Sequence, residues 1–284
     1  MLCTLNEMLP HARRHGYAVT AFDFVHDIYV RPILDTCEAK RAPVIMSALP
    51  HDIEGRGLEY TAGLVRAVAS SYSVPICLHL DHSPTFEIIK RCIGAGFTSV
   101  MFDGSHYPFA ENVARTREVV AYAHARGVTV EAELGFVAGN DLEGGDTGDI
   151  QLTEPREVAE FVEKTEVDAL AVSIGTAHGV YKSTPTLDID RLGEIIAACA
   201  VPLVLHGGSG TPEDQLVAAI KGGITKLNIY TDIRLAMNAR FAQIAAMVEK
   251  RADEIPDRVF APLYEGLAEE VAQKLDLTMS AGRY

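Results

Sequence analysis

The stretch Leu78-His79-Leu80-Asp81-His82 has the pattern of a buried β-strand that ends in a carboxylate and an imidazole. Ser83-Pro84 follows it, and this pair supplies an N-cap residue and a first-turn proline, with which helices often begin. Asp81 and His82 are therefore expected where a strand gives way to a helix. Ligands of parallel α/β proteins bind at this end of the strands, so the pair marks a candidate site.

Strand-like and helix-like segments alternate along the whole chain. The short, continuously apolar runs that we predict as strands are 17–22, 43–47, 74–80, 99–102, 129–134, 169–174, 202–205 and 226–229. Helical patterns separate them, and two further helices are expected at 232–254 and 259–275. Eight βα units in about 250 residues predict an α/β fold, a TIM (β/α)8 barrel with extra C-terminal helices. A doubly wound open sheet is the alternative, weakened because no Gly-x-Gly-x-x-Gly follows the first strand.

The composition argues against several classes of partner. The 284 residues are 48% hydrophobic and carry a formal net charge of −14, which would repel a nucleic-acid backbone. No basic amphipathic segment or long apolar run favours a membrane. The five cysteines lack C-x-x-C spacing, as is typical of reduced thiols in the cytoplasm. We expect one cytoplasmic domain over residues 1–284, with neither nucleic acid nor membrane as partner.

Polar side chains at the ends of the predicted strands would share one rim of the barrel. They are Asp23, Asp81, His82, Asp103, Glu133, His178, His206 and Asn228. A lone histidine is usually a structural residue, but three histidines on one rim favour a metal site. Three imidazoles with an open fourth position form a common catalytic zinc arrangement, so His82, His178 and His206 are candidate ligands.

Two turns after strands seven and eight have the features of an anion site. His206-Gly207-Gly208-Ser209-Gly210 and Asn228-Ile229-Tyr230-Thr231 each lead into a helix. Backbone N–H groups at helix N-termini bind anions, and these two loops form the usual phosphate site of a TIM barrel. The glycines could serve only to make turns. Two such loops side by side nevertheless favour a phosphate, to which Lys182 could add a positive charge.

A glycine-rich acidic segment, 136–150, interrupts the alternation, and a loop of this length is usually functional or disordered. Together with a metal, a phosphate site and a free carboxylate, this acidic segment would complete the set of groups needed to make or break a C–C bond beside a ketone carbonyl. A zinc ion can polarise the carbonyl and stabilise an enediolate, while a carboxylate moves the proton.

Six motifs resemble the class II, zinc-dependent ketose-bisphosphate aldolases, a family that includes fructose- and tagatose-bisphosphate aldolases. In family order they are 78–82, 103–106, 131–135, 174–181, 205–210 and 226–231. The resemblance implies a TIM-barrel aldehyde-lyase that reversibly cleaves a ketose phosphate or bisphosphate to dihydroxyacetone phosphate and an aldehyde, through a zinc-stabilised enediolate. It also implies a homodimer or homotetramer.

The resemblance assigns roles to individual residues. Zinc would be held by His82, His178 and His206, and Asp81 would be the acid–base group that serves the aldehyde hydroxyl. Asp103 and Glu133 match positions that can offer a second cation site, and a monovalent cation, Na⁺ or K⁺, often lies near the glycine loops. The residues expected to contact the substrate are Gly179, Lys182, Gly207, Gly208, Ser209, Asn228, Thr231, Asp23 and Ser47.

Several positions depart from the family pattern, and they cluster on the aldehyde side and on the loop. Asp23 stands where the family usually has Asn, so an amide that can donate becomes an acceptor-only carboxylate. Ser47 and Leu49 stand where Gln and Ser are usual. The loop acid, usually Glu, is expected to be Asp141, with Glu143 as the alternative.

Two readings of these departures are equally supported. One is an aldehyde other than glyceraldehyde 3-phosphate, and the other is an ordinary fructose- or tagatose-1,6-bisphosphate aldolase. A catalytically impaired zinc- and phosphate-binding relative, or another metal-dependent barrel enzyme, are the competing classes.

Overall fold

The chain folds into a closed barrel of eight parallel strands that neighbour one another in chain order. A computed structural model describes residues 2–139, 150–179, 181, 183–251 and 253–284. The strands are β1 Val19–Asp23, β2 Val44–Ala48, β3 Ile76–Ser83, β4 Ser99–Phe102, β5 Thr129–Leu134, β6 Ala169–Val172, β7 Leu203–Leu205 and β8 Ile224–Ile229. The predicted TIM barrel is therefore confirmed, and the open sheet is wrong.

Helices surround the barrel and close its amino-terminal end. Those of the described residues are α1 Leu5–His15, α2 Asp27–Lys40, α3 Pro50–Arg56, α4 Leu58–Val68, α5 Phe86–Ala95, α6 Phe109–His124, α7 Pro155–Thr165, α8 Ile189–Ala198, α9 Glu213–Gly222, α10 Thr231–Asn238, α11 Phe241–Lys250 and α12 Pro256–Leu277. Helix α12 packs against α2 and α10. Among the described residues, no helix has the length and apolar character that crossing a bilayer requires.

Alternation along the strands explains how polar groups reach the rim. Ala21, Ile45 and Cys77 belong to a small cluster inside the barrel, whereas their neighbours Phe22 and Met46 pack with the helices outside. Side chains in a strand have a period of two, so the residues two positions after the interior ones also face inward. The interior therefore changes from apolar to polar towards the carboxyl ends of the strands.

The start of α5 differs from the prediction. Strand β3 continues to Ser83, because Ser83 pairs with Phe102 of β4 and its carbonyl oxygen accepts from the Asp103 N–H at 2.9 Å. Helix α5 begins only at Phe86, so Ser83-Pro84 does not start it. The Ser83 hydroxyl instead donates to the carbonyl oxygen of Thr85 at 3.1 Å.

Four other helices, α1, α3, α10 and α11, also differ from the prediction. The helix expected at 232–254 is divided into α10 and α11, where Arg240 lies against Gly266 of α12 and its guanidinium pairs with Glu269. Helices α1 and α3 were not predicted. Helix α1 is held in place because its buried side chains, Leu5 and Met8 among them, pack into the interior cluster at the amino-terminal end of the barrel.

Candidate active site

Three imidazoles meet at the carboxyl-terminal mouth of the barrel. Nε2 of His82 and Nδ1 of His206 lie 2.9 Å apart, and a ring nitrogen of His178 lies within 4.8 Å of theirs. Nε2 of His178 is buried and has no hydrogen-bond partner among the described residues. A buried nitrogen without a partner is costly unless it binds something, so the three rings fit a shared metal ion.

A β-bulge turns both Asp81 and His82 towards this mouth. Consecutive residues of a regular strand point to opposite faces, yet both of these line the same cavity. The register between β3 and β4 shifts between Leu80 and Ser83, and His82 has a φ of +43°, in the left-handed region. A non-glycine residue rarely adopts this conformation. The strand thus places two functional groups side by side at a cost in backbone energy.

Carboxylates orient two of the imidazoles. Nδ1 of His82 lies 2.9 Å from Oδ2 of Asp103, and Nε2 of His206 lies 2.9 Å from Oε1 of Glu131. The other Asp103 oxygen accepts from the backbone N–H and the hydroxyl of Ser105. Such contacts fix the ring orientation and leave the opposite nitrogen for a metal.

Glu133 lies close to His82, and only one of its carboxylate oxygens accepts a hydrogen bond from the described residues. Its Oε1 accepts from the Val137 N–H at 3.1 Å, while Oε2 is buried without a hydrogen-bond partner in the described part of the chain. Burial, together with the charge of Asp103, raises the pKa of Glu133 to about 8. His82, Asp103 and Glu133 form a second group of potential ligands within 4.8 Å of one another.

The cluster shifts the pKa values of two of its imidazoles in opposite directions. Burial alone would lower the pKa of His82, but Asp81 and Asp103 raise it well above its ordinary value. For His178, burial and the neighbouring rings of His82 and His206 hold the pKa well below its ordinary value. A divalent cation binds neutral imidazoles, so it would have to displace the proton that the carboxylates favour on His82.

Asp81 is a buried carboxylate in contact with the same cavity. Its Oδ2 accepts from the Asn228 amide at 2.7 Å, and its Oδ1 has no hydrogen-bond partner among the described residues. Burial would raise the pKa of Asp81, but the charges of His82 and Lys226 lower it well below its ordinary value. The side chain is therefore an ionised carboxylate, and its Oδ1 lies 3.5 Å from Nε2 of His79 and 3.9 Å from Nζ of Lys226.

A buried ionic network beneath the site was missed by our sequence analysis. The fully buried Lys226 places its Nζ 2.7 Å from Oε2 of Glu131 and 3.3 Å from Nε2 of His79. The sequence does contain a signal for this network, because Glu131 precedes Glu133 by two positions and Lys226 precedes Asn228 by two. Each pair therefore shares the inward face of its strand.

The glycine loops form the opposite wall. Gly207 has a φ of +68°, and a Cβ there would overlap the carbonyl oxygen of Ala177. The Ser209 hydroxyl accepts from the N–H groups of Tyr230 and Asp232 at 3.2 Å each, which joins this loop to the start of α10. Glycines and N–H groups at a helix start make a suitable anion cradle.

Most of the predicted site residues line one cavity. Its walls are Asp23, Asp81, His82, His178, Gly179, His206, Gly207, Gly208, Ser209, Asn228 and Tyr230. Ser47 and Thr231 are buried nearby, each with a hydroxyl that has no hydrogen-bond partner among the described residues. Asp141, Glu143 and Lys182 lie outside the described residues. Gly139, just before the first two, forms a bridge with His178.

Fold and cluster together define a TIM-barrel protein with a candidate metal centre at the carboxyl ends of its strands. Comparison with known proteins makes this specific, because the family "Fructose-bisphosphate aldolase class-II" matches residues 3–283. The chain belongs to the class II fructose-bisphosphate aldolase family. It is therefore an aldolase, a type of lyase.

Individual relatives agree with this assignment. The chain is 38% identical, over 307 aligned residues, to a fructose-bisphosphate aldolase of Giardia intestinalis, covering 99% of this chain and 94% of the relative. The crystal structure of the YdjI aldolase from Escherichia coli K12 superposes with a TM-score of 0.86 at 31% identity, over 100% of this chain and 99% of that one. A Campylobacter jejuni fructose-bisphosphate aldolase, 22% identical with a TM-score of 0.83 over 100% of this chain and 97% of its own, shares the fold.

Proposed function

We propose that this aldolase cleaves a ketose phosphate or bisphosphate reversibly to dihydroxyacetone phosphate and an aldehyde, with a zinc ion held by His82, His178 and His206. The observation that carries the proposal is the convergence of these three imidazoles across a cavity from the glycine loops. A bound zinc ion would polarise the ketone carbonyl and stabilise the enediolate.

The chain's own residues would bind and orient the substrate. The loop of Gly207 and Ser209, with the start of α10, would hold the phosphate of the dihydroxyacetone phosphate half by backbone N–H groups. Asn228 donates to Asp81 and so fixes the carboxylate beside the metal ligands. The substrate's ketone would then lie at the imidazoles and its next hydroxyl at Asp81.

Asp81 would move the proton on the aldehyde side. In cleavage its carboxylate would accept the proton of the hydroxyl, the C–C bond would break, and the electron pair would stay with the dihydroxyacetone phosphate half. That half must then be protonated at carbon. We propose Asp141 for this step, with Glu143 as the alternative, because Gly139 brings the chain beside His178.

Solvent exchange tests the first half of the proposal. Zinc-loaded protein should catalyse deuterium exchange into dihydroxyacetone phosphate without any aldehyde, and His178→Ala should lose both bound zinc and exchange. His15→Ala, an exposed histidine of α1, is the matched control and should behave as the parent. Asp81→Asn should keep exchange while losing at least a hundredfold in aldol cleavage, since general base catalysis contributes about 10²–10⁴. Parent protein that binds zinc without exchanging would contradict an aldolase role for this site.

The quaternary state is a separate proposal. We infer a homodimer or homotetramer, because α11 leaves Phe241 and Val248 49% and 42% exposed. Apolar side chains of this size in one helix are often covered by association. Light scattering coupled to gel filtration measures the mass, and a monomer at micromolar concentration would contradict the proposal.

A further inference from the structure

Inside the barrel, beneath the three imidazoles of the rim, a buried lysine contacts two side chains that can accept hydrogen bonds. Nζ of Lys226 lies 2.7 Å from Oε2 of Glu131 and 3.3 Å from Nε2 of His79. All three side chains are fully buried. His79, Asp81 and Glu131 also bring their ligand atoms within 4.8 Å of one another, a spacing that could hold a metal ion. The Lys226 ammonium lies against this group, so it supplies the positive charge there.

The ammonium fixes the direction of the hydrogen bonds around Glu131. A lysine ammonium has three N–H donors and no acceptor, so Oε2 of Glu131 accepts from Lys226. The other oxygen, Oε1, lies 2.9 Å from Nε2 of His206. Paired with an ammonium, Glu131 is a carboxylate, and a carboxylate can only accept. The proton of the second contact therefore belongs to Nε2 of His206.

The position of this proton decides which nitrogen of His206 can bind a metal. A neutral imidazole carries one N–H, so a proton on Nε2 leaves the lone pair on Nδ1. Nδ1 is the nitrogen that faces the rim, where it lies 2.9 Å from Nε2 of His82. Metals bind the unprotonated nitrogen of a neutral imidazole. The contacts from Lys226 through Glu131 therefore select the tautomer of His206 that a metal at the rim requires.

We propose that Lys226 is a positioning residue for the metal site, which acts through Glu131 to hold His206 in the tautomer whose Nδ1 faces the metal. Glu131 supplies the acceptor, and Lys226 supplies both the charge that keeps this carboxylate ionised in the barrel interior and the donor that fixes its orientation. The inference rests on the proposed function, since it concerns a ligand of the proposed zinc site.

Replacing Glu131 by glutamine should reverse the tautomer. A glutamine amide has one acceptor oxygen and one donor NH₂ group. Because Lys226 can only donate, the amide oxygen should turn towards Lys226 and the NH₂ group towards His206. Nε2 of His206 would then have to accept, so its proton would move to Nδ1. The nitrogen that faces the rim would no longer have a lone pair for a metal.

A second substitution should restore the original tautomer. When Lys226→Met is added to Glu131→Gln, the ammonium no longer holds the amide oxygen. The amide can then turn over, so that its oxygen accepts from Nε2 of His206 as the carboxylate does. A role in packing alone predicts the opposite, because a second substitution in the interior would add to the damage of the first.

Nuclear magnetic resonance reads the tautomer directly. In metal-free protein labelled with ¹⁵N-histidine, protonated and unprotonated ring nitrogens have well-separated shifts, and the signals of His206 are those missing from His206→Gln. We expect a protonated Nε2 and an unprotonated Nδ1 in the parent and in the double variant, and the reverse in Glu131→Gln. A protonated Nδ1 in the parent overturns the inference, and this result does not depend on whether any variant of the network folds.

Zinc affinity, measured by competition with a chromophoric chelator, is the second readout. Glu131→Gln should raise the zinc dissociation constant by about 10–100-fold, the usual effect of losing such a partner. The double variant should bind zinc several-fold more tightly than Glu131→Gln. Glu160→Gln, alone and with Lys164→Met, is the matched control, because it makes the same substitutions in an exposed pair of α7 and should leave zinc binding unchanged.

The parent protein separates this inference from the proposed function. If the parent binds no zinc, or binds it without catalysing exchange into dihydroxyacetone phosphate, the proposed function fails. If the parent binds zinc and catalyses exchange, but Glu131→Gln keeps both the tautomer and the zinc affinity of the parent, only the present inference fails. A double variant that binds zinc more weakly than Glu131→Gln also overturns it, because the loss then follows packing.

Discussion

Replacing Lys226 by methionine should destabilise the barrel strongly, although the side-chain volume changes little. Lys226 is fully buried, and its Nζ lies 2.7 Å from Oε2 of Glu131 and 3.9 Å from Oδ1 of Asp81. Removing it leaves the Glu131 carboxylate in the barrel interior without its counter-ion. Breaking a buried pair in this way costs about 3–5 kcal/mol of the free energy of unfolding.

The cost can be measured as a thermal shift. For a domain of this size 1 kcal/mol corresponds to about 2–4 °C, so the Tm of Lys226→Met should fall by roughly 6–20 °C. The measurement uses differential scanning calorimetry with a chelator present, so that metal binding does not contribute. Lys164→Met is the matched control, because Lys164 pairs with Glu160 at 2.5 Å while 53% exposed. That pair should be worth less than about 1 kcal/mol.

A double variant separates the charge from the packing. Lys226→Met combined with Glu131→Gln removes both charges and keeps an amide that can still reach His206, so more than half of the lost Tm should return. A fall of less than 2 °C in the single variant would refute the argument that breaking this pair leaves an uncompensated charge in the barrel interior. A double variant as unstable as the single one would assign the loss to packing.

Three further predictions concern the glycine loop, the acid–base group and a surface carboxylate. Gly207→Ala should weaken dihydroxyacetone phosphate binding at least tenfold by calorimetry, because the added Cβ meets Ala177. By contrast, Gly193→Ala in α8 has open space around it and should raise the free energy of unfolding by about 0.5–1 kcal/mol. Asp81→Ala should, like Asp81→Asn, keep proton exchange and lose cleavage by at least a hundredfold in a coupled assay; loss of exchange would contradict the separation of roles. Glu38 bonds to Ser73, which lowers the pKa of its carboxyl below the ordinary value. The stabilisation from this bond is therefore complete above the unfolded pKa of about 4.3 and is lost as pH falls through the folded pKa. The Tm difference between the parent and Glu38→Ala should shrink in acid and be largest at neutral pH.

The barrel could be predicted from the sequence because its strands are short apolar runs that depend on local composition. Strands β4 and β5 have the predicted bounds. The continuation of β3 to Ser83 could not be predicted, because it depends on pairing with β4. Helix α1 was missed for a related reason: its apolar side chains are buried only because the barrel has an open end for them to fill.

The candidate site was predictable where chemistry and position coincide. His82, His178 and His206 are separated by many residues, yet each follows a strand, and the barrel topology alone brings their rings together. The supporting network was not predicted, since Glu131 and Lys226 lie inside strands and the sequence does not state which interior charges face each other. Their proximity follows from strand register around the closed barrel, a tertiary property.

The bulge at His82 also determines what must be copied if this site is to be built into another barrel. Copying His82 alone onto a regular strand would place either the imidazole or the Asp81 carboxylate outside the barrel, among the helices. A host barrel would have to accept one extra residue on β3, opposite an unchanged β4, and to keep a non-glycine residue at φ +43°. Glycine at 82 would ease the backbone and remove the ring. The unit that could be inherited or engineered is therefore the bulged β3–β4 pair together with the side chains of Asp81 and His82.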